Sequence, residues 1–101
     1  MIIEVAAITV KPGHEAPFEA AVGKAVEVFR RATGCKGLHL QRCIEEPGLY
    51  EVIIRWETLE NHTVDFRGSE LFTQWRGLVG EHFASPPVVR HFAVAMQRVD
   101  F

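Results

Sequence analysis

Apolar and polar residues along this chain switch between two periods, and the switches mark its elements. Residues 2–10, Ile-Ile-Glu-Val-Ala-Ala-Ile-Thr-Val, are rich in β-branched side chains and are closed by Lys11-Pro12-Gly13, which predicts a first strand ending in a turn. From Phe18 the apolar positions recur at Ala21, Val22, Ala25, Val26 and Phe29, a spacing that holds one helical face against a core. Glu15 and Glu19 suit the positive amino end of that helix and Arg30 and Arg31 its carboxyl end, while Gly34 can take a left-handed cap. A helix is therefore predicted over about Ala16 to Thr33.

Strand-like composition returns from Gly37 to Ile44, breaks at Glu46-Pro47-Gly48, and resumes from Leu49 to Trp56, which predicts a hairpin. Thr58 stands where an N-cap belongs, and Leu59, His62 and Phe66 share a helical face that stops near Gly68. Ser69 then caps a second helical segment in which Leu71, Phe72, Trp75, Leu78 and Val79 keep the period until Gly80 and the Pro86-Pro87 breaker. Val88 to Val99 reads as a long last strand. The order is β-α-β-β-α-β with a broken second helix, an α+β, ferredoxin-like split βαβ arrangement in which helices cover one face of a four-stranded antiparallel sheet. Strands carrying Ile2, Ile3, Val5, Ile8, Val52, Ile53, Ile54, Val94 and Met96 are apolar on both sides, whereas a sheet with one wet face should alternate. A second copy of the chain is the simplest cover for the other face.

The length, 101 residues, is that of a single domain spanning residues 1–101. Eleven Lys and Arg against thirteen Asp and Glu leave a net charge of −2, without the basic surplus that binding to nucleic acid draws on. Glu4, Lys11, Arg55 and Arg90 interrupt the most apolar stretches before any reaches the ~18–20 residues of a membrane span. Met1-Ile2-Ile3-Glu4 lacks the basic start of a signal peptide, so a cytoplasmic protein is expected. Cys35 and Cys43 are too few for a disulfide framework and read as buried filler.

Five histidines raise the question of a metal, yet neither His-Glu-x-x-His nor Cys-x-x-Cys occurs. His39 and Cys43 share a strand face but lie roughly 13 Å apart along it, too far for one ion. Ser69 and Ser85 lack the glycine pattern of a nucleophile elbow, and no Gly-rich phosphate loop is present. No metal, flavin or nicotinamide cofactor is expected. What remains is the stretch from Trp56 to Arg76, which interleaves aromatic rings with Asn61 and His62 on a broken helix facing the sheet, the composition of an apolar pocket with a few polar groups. Phe66, Phe72 and Trp75 taken singly read as core. His62 lies on the inward stripe, where an imidazole needs a partner, and reads equally as structural or functional.

The run from Trp56 through Glu60-Asn61-His62 to Arg67, and on to Ser69, Phe72 and Trp75, resembles the antibiotic-biosynthesis monooxygenase domain of the dimeric α+β barrel superfamily; the first half of the chain matches in pattern. The resemblance implies a homodimer whose two sheets pack into a barrel, with one pocket per subunit between sheet and helices. It further implies a cofactor-independent monooxygenase acting with molecular oxygen on a small aromatic or quinol-type molecule, or a haem-degrading monooxygenase. The haem-degrading branch uses an Asn on the first strand and a His on the last helix, where this chain has Ala6 and Ala7, and Gln74 and Trp75. The quinol-type pocket, with a histidine on the second helical segment, is matched by His62.

Such a pocket must form and hold a substrate anion, since triplet oxygen reacts slowly with a neutral phenol but accepts an electron from its anion. His62, with an unperturbed pKa near ~6.5, is the expected base. Asn61 points about 100° away around the helix, which makes it the weaker candidate beside His62, and it is expected as a substrate-binding residue. Trp56, Phe66, Phe72 and Trp75 are expected as walls, with Tyr50 and Arg67 as further substrate-binding residues. A non-catalytic dimeric ligand-binding domain, and an isomerase or decarboxylase acting on a carbon acid without oxygen, are the competing readings.

Overall fold

The most apolar strand takes the centre of the sheet. In a computed structural model describing residues 1–101, β1 (Ile2–Thr9) pairs antiparallel with both β3 (Leu49–Trp56) and β4 (Val88–Ala93), and β2 (Cys35–Arg42) adds to the free edge of β3. The strand order is β2-β3-β1-β4. Helices α1 (Glu15–Arg30) and α2 (Glu70–Val79) cover one face, and a π-helical turn (Asn61–Phe66) joins β3 to α2. The ferredoxin-like arrangement is thus the one that the hydrophobic periods predict. No helix is long and apolar enough to cross a membrane.

Alternation decides which side chains enter the core. Glu4, Ala6 and Ile8 of β1 and Tyr50, Val52, Ile54 and Trp56 of β3 point toward the helices, where Phe18, Ala21, Val22, Ala25, Val28 and Phe29 of α1 meet them. Val28 is buried, and Val26, predicted on the inward stripe, is only half-buried. Phe29 is the aromatic hub: its ring stacks on Phe66 at 5.1 Å and meets Trp75 and Trp56 edge-on at 5.1 and 6.5 Å. Each such ring contributes about 1.5–3 kcal/mol through burial, so this cluster fixes both the π turn and α2 against α1.

The predicted last strand is too long. Pairing stops at Ala93, opposite Ile2, the first residue of β1. Val94 and Met96 therefore leave the sheet and stand exposed, with Val99 and Phe101 beyond them. The hairpin is displaced as well. β2 starts at Cys35 rather than Gly37 and ends at Arg42 opposite Tyr50, with an irregular register between Cys35 and Gly37. Gly37 has φ +151°, and a Cβ there would meet the Arg55 guanidinium. Helix α1 ends at Arg30, earlier than predicted, as the chain turns toward Gly34 at φ +76°.

The face away from the helices is less uniformly apolar than the composition of the strands suggests. Ile3, Val5, Ile53 and Phe92 form an apolar stripe, with His39, Gln41 and Glu51 along its margin.

Candidate functional site

The π turn begins with a reciprocal cap. Thr58 Oγ1 accepts from the Asn61 N–H at 3.2 Å while Asn61 Oδ1 accepts from the Thr58 N–H at 3.0 Å, which satisfies two donors at the helix start. The turn then widens: the Arg67 N–H donates to the His62 carbonyl at 3.2 Å, five residues back instead of four. His62 and Phe66 are thereby buried together, and Arg67 follows at the edge of the site. Asn61 packs against Gly34, where a Cβ would collide with its amide, and its Nδ2 donates to Asp65 at 3.2 Å.

Opposite His62, in the middle of the central strand, stands Glu4. It is only 4% exposed, and its register partner on β4 is His91. Trp56 Nε1–H donates to Glu4 Oε1 at 2.9 Å, and His62 Nε2 lies 3.3 Å from the same oxygen. His62 Nδ1 lies 2.7 Å from His91 Nε2, and the Trp56 indole stacks on the His62 ring at 5.4 Å. Both imidazole nitrogens of His62 are thus engaged. Glu4 Oε2 has no protein partner, and since every fully buried side-chain polar atom has one, this oxygen keeps access to the adjoining cavity.

Burial sets the charges. It pushes the Glu4 carboxyl up from 4.5 to about 7, with the Trp56 hydrogen bond and the nearby Arg67 guanidinium pulling the other way. Burial also lowers His62 from 6.5 to about 4, and the charges of Arg67 and His91 add to the effect. His91 is lowered for the same first reason, again with Arg67 contributing. The 3.3 Å contact is therefore not an ion pair at neutral pH, although its length would allow one: His62 has lost its proton near 4, and Glu4 holds or releases one near 7. The imidazole is neutral, and the group poised at working pH is the carboxyl.

The cavity beside this pair measures about 440 Å³, within the ordinary range for small-ligand sites. Its floor is the inward row of β1, Glu4, Ala6 and Ile8, and the small Ala6 side chain leaves the space open. Phe66, Phe72 and Trp75 form its aromatic wall, and Phe83, Pro86, Pro87 and Val89 close another side. Its polar groups are Glu4, His62, Arg67 and Arg76. No group of three or more His, Cys, Asp or Glu side chains converges in a way that could hold a metal ion.

Of the residues singled out by sequence, His62, Phe66, Phe72, Trp75 and Arg67 are brought together around this cavity. Trp56 is fully buried beneath it and acts through its bond to Glu4 rather than as a wall. Asn61 is committed to the cap and to Asp65, outside the cavity. Tyr50 faces α1, where its hydroxyl donates to Glu19 at 2.6 Å and its ring meets Phe18. His39 lies on the other face of the sheet. Glu4, His91 and Arg76 were not legible as site residues. The signal for Glu4 is parity: it is two and four residues from Ala6 and Ile8, hence on the same face of the strand.

Residues 1–78 match the family described as antibiotic biosynthesis monooxygenase. An uncharacterised Bacillus subtilis protein, YczJ, is 36% identical over 92 residues, which is 91% of this chain and 97% of that protein. A crystal structure from Bordetella bronchiseptica, described under the same family name, superposes with a TM-score of 0.93 at 52% identity and covers 94% of this chain and 97% of its own. A Caulobacter crescentus structure shares the fold at a TM-score of 0.79 and 24% identity, covering 94% of this chain and 90% of its own.

The buried pair has a measurable pH signature. Because the Glu4 pKa is higher folded than unfolded, the folded chain binds the extra proton between 4.5 and about 7, and stability falls as pH rises through that window. His62 has the opposite sign, since its lowered value costs stability at acid pH and the cost vanishes above 6.5. Above pH 7 the Glu4 cost stands alone, on the order of 3 kcal/mol. Glu4→Gln keeps an oxygen for Trp56 and removes that cost. Denaturant unfolding at pH 8 is expected to find this variant about 1–3 kcal/mol more stable than the parent, with the gap closing near pH 5. A variant less stable at pH 8, or a gap independent of pH, would contradict the assignment.

Proposed function

This chain belongs to the antibiotic biosynthesis monooxygenase family, and on that footing we propose that it is a cofactor-independent monooxygenase that oxidises a small aromatic of anthrone or quinol type with molecular oxygen. The observation that carries the reading is an aromatic-walled cavity in which a carboxyl titrating near neutrality keeps one oxygen free. Glu4 Oε2 takes a proton from an acidic C–H or O–H of the bound ring, and His62, expected from the sequence as the base itself, serves as the second half of that base. It holds Glu4 in place through Nε2 and links it to His91 through Nδ1. Arg67, close enough to perturb all three groups, stabilises the anion that forms.

The anion passes one electron to oxygen, the two radicals combine at carbon, and the resulting peroxide loses water. For a ring methylene, the carbon gives up both hydrogens and gains one oxygen atom as a carbonyl, while the second oxygen atom leaves with those hydrogens as water, so no external reductant is consumed. Oxygen uptake with a panel of anthrones and hydroquinones is expected to rise with pH through about 7 as Glu4 ionises. His62→Ala should lower the rate by ~10²–10⁴-fold per folded molecule. Full activity in that variant, with a flat profile from pH 5 to 8, would overturn the role given to the pair.

We also propose that the protein is a homodimer. The Ile3, Val5, Ile53 and Phe92 stripe lies open on the outer face, with Phe92 49% exposed, and Val94, Met96, Val99 and Phe101 extend past β4 without a packing partner. A second copy meeting this face would cover both, as in the barrel that the resemblance implies. Sedimentation at micromolar concentration is expected to give twice the 11.4 kDa chain mass. A species at the chain mass itself would contradict the dimer.

A further inference from the structure

The cavity carries one guanidinium, that of Arg76, that the chemistry above does not use. Arg67 and Arg76 both line the cavity, and neither guanidinium is paired with a carboxylate. The only acidic residue lining the cavity is Glu4, itself partly protonated near neutrality. The cavity thus holds a positive surplus in a chain whose net charge is −2.

The two arginines sit toward opposite ends. Arg67 belongs to the π-turn end, bonded through its backbone to His62 and near enough to Glu4 to perturb it. Arg76 lies over the Phe83 ring, its Cζ 5.4 Å from the centroid. The Phe83 backbone is bridged to Val10, and the next N–H, that of Ala84, donates to the Thr9 carbonyl at 2.8 Å, which places this end beside the last residues of β1. From Glu4 to Ile8 along the cavity floor is roughly 13 Å at the rise of an extended strand. A planar molecule between the walls of Phe66, Phe72 and Trp75 therefore meets Glu4 at one end and a free guanidinium at the other.

We infer that the substrate is an aromatic acid, with its oxidisable position toward Glu4 and a carboxylate at the opposite end held by Arg76. The guanidinium fork suits a carboxylate, and its stacking on Phe83 restricts the side chain in advance. At the Glu4 end Arg67 already serves the anion formed at the oxidisable position and Glu4 itself ionises, which leaves Arg76 as the cation for a second, remote carboxylate.

This inference rests on the cavity being the substrate site, but its test needs no turnover. Titration calorimetry under nitrogen with 6-hydroxy-2-naphthoate and 2-naphthol compares ligands that differ in the far carboxylate alone. The naphthoate is expected to bind about tenfold tighter or better to the parent protein, and that preference should disappear in Arg76→Gln while 2-naphthol affinity stays unchanged. Arg76→Lys should keep part of the preference, and Arg67→Gln should leave it in place. Equal affinities in the parent, a preference that survives in Arg76→Gln, or failure of both ligands to bind would overturn the inference. Tight, Arg76-dependent binding without oxygen uptake in air would uphold it and overturn the oxygenase reading instead.

Discussion

Everything distinctive in this fold follows from one carboxyl placed where a sheet normally puts an aliphatic side chain. Glu4 is the inward residue at the middle of the central strand, and an unpartnered charge there would cost several kcal/mol. The surrounding structure answers that cost in two ways. Trp56 supplies a hydrogen bond from the neighbouring strand, and burial keeps a proton available to the carboxyl up to about neutral pH. His62, brought over the sheet by the π turn, completes the pair from the helical layer, and His91 closes the row from the edge strand. Glu4 thus ties β1 to β3 and to the π turn, and His62 carries the row on to β4.

The cavity is the complement of the same arrangement. Ala6 follows Glu4 on the inward row and is too small to fill the layer, while the π turn and α2 present Phe66, Phe72 and Trp75 as a rigid wall instead of collapsing onto it. Phe29, which also lines the cavity, packs on Phe66 and Trp75, and the buried Trp56 packs on Phe66. The result is an apolar space with a buried carboxyl at one end. Burial raises that carboxyl toward neutrality, and the Arg67 guanidinium at the edge of the site pulls the other way.

Much of this was legible in the sequence, because hydrophobic period reports burial directly. The order of elements, the helix break at Gly68-Ser69, the inward position of His62 and the aromatic wall all follow from spacing. Glu4 did not, since within a β-branched run it reads as a charge that rules out a membrane span, and its meaning depends on which register partner it meets. The same dependence hid His91. The overlong last strand failed for a related reason: its apolar composition runs on to Val99, but pairing stops at Ala93, opposite Ile2. The π turn escapes any periodic reading, because one extra residue in a turn of this length leaves the apolar pattern intact. Arg76 is an ordinary helix-end cation until the cavity places it.

On this account Glu4 and His62 share one proton that leaves near neutrality. Carbon-13 NMR of the glutamate side-chain carboxyls, titrated from pH 3 to 9, measures this directly. One carboxyl, identified by its loss in Glu4→Gln, is expected to titrate at about 7, with the His62 imidazole remaining neutral down to about 4. A Glu4 midpoint near the ordinary 4.5, accompanied by a protonated His62 at neutral pH, would make the contact an ion pair and contradict the account.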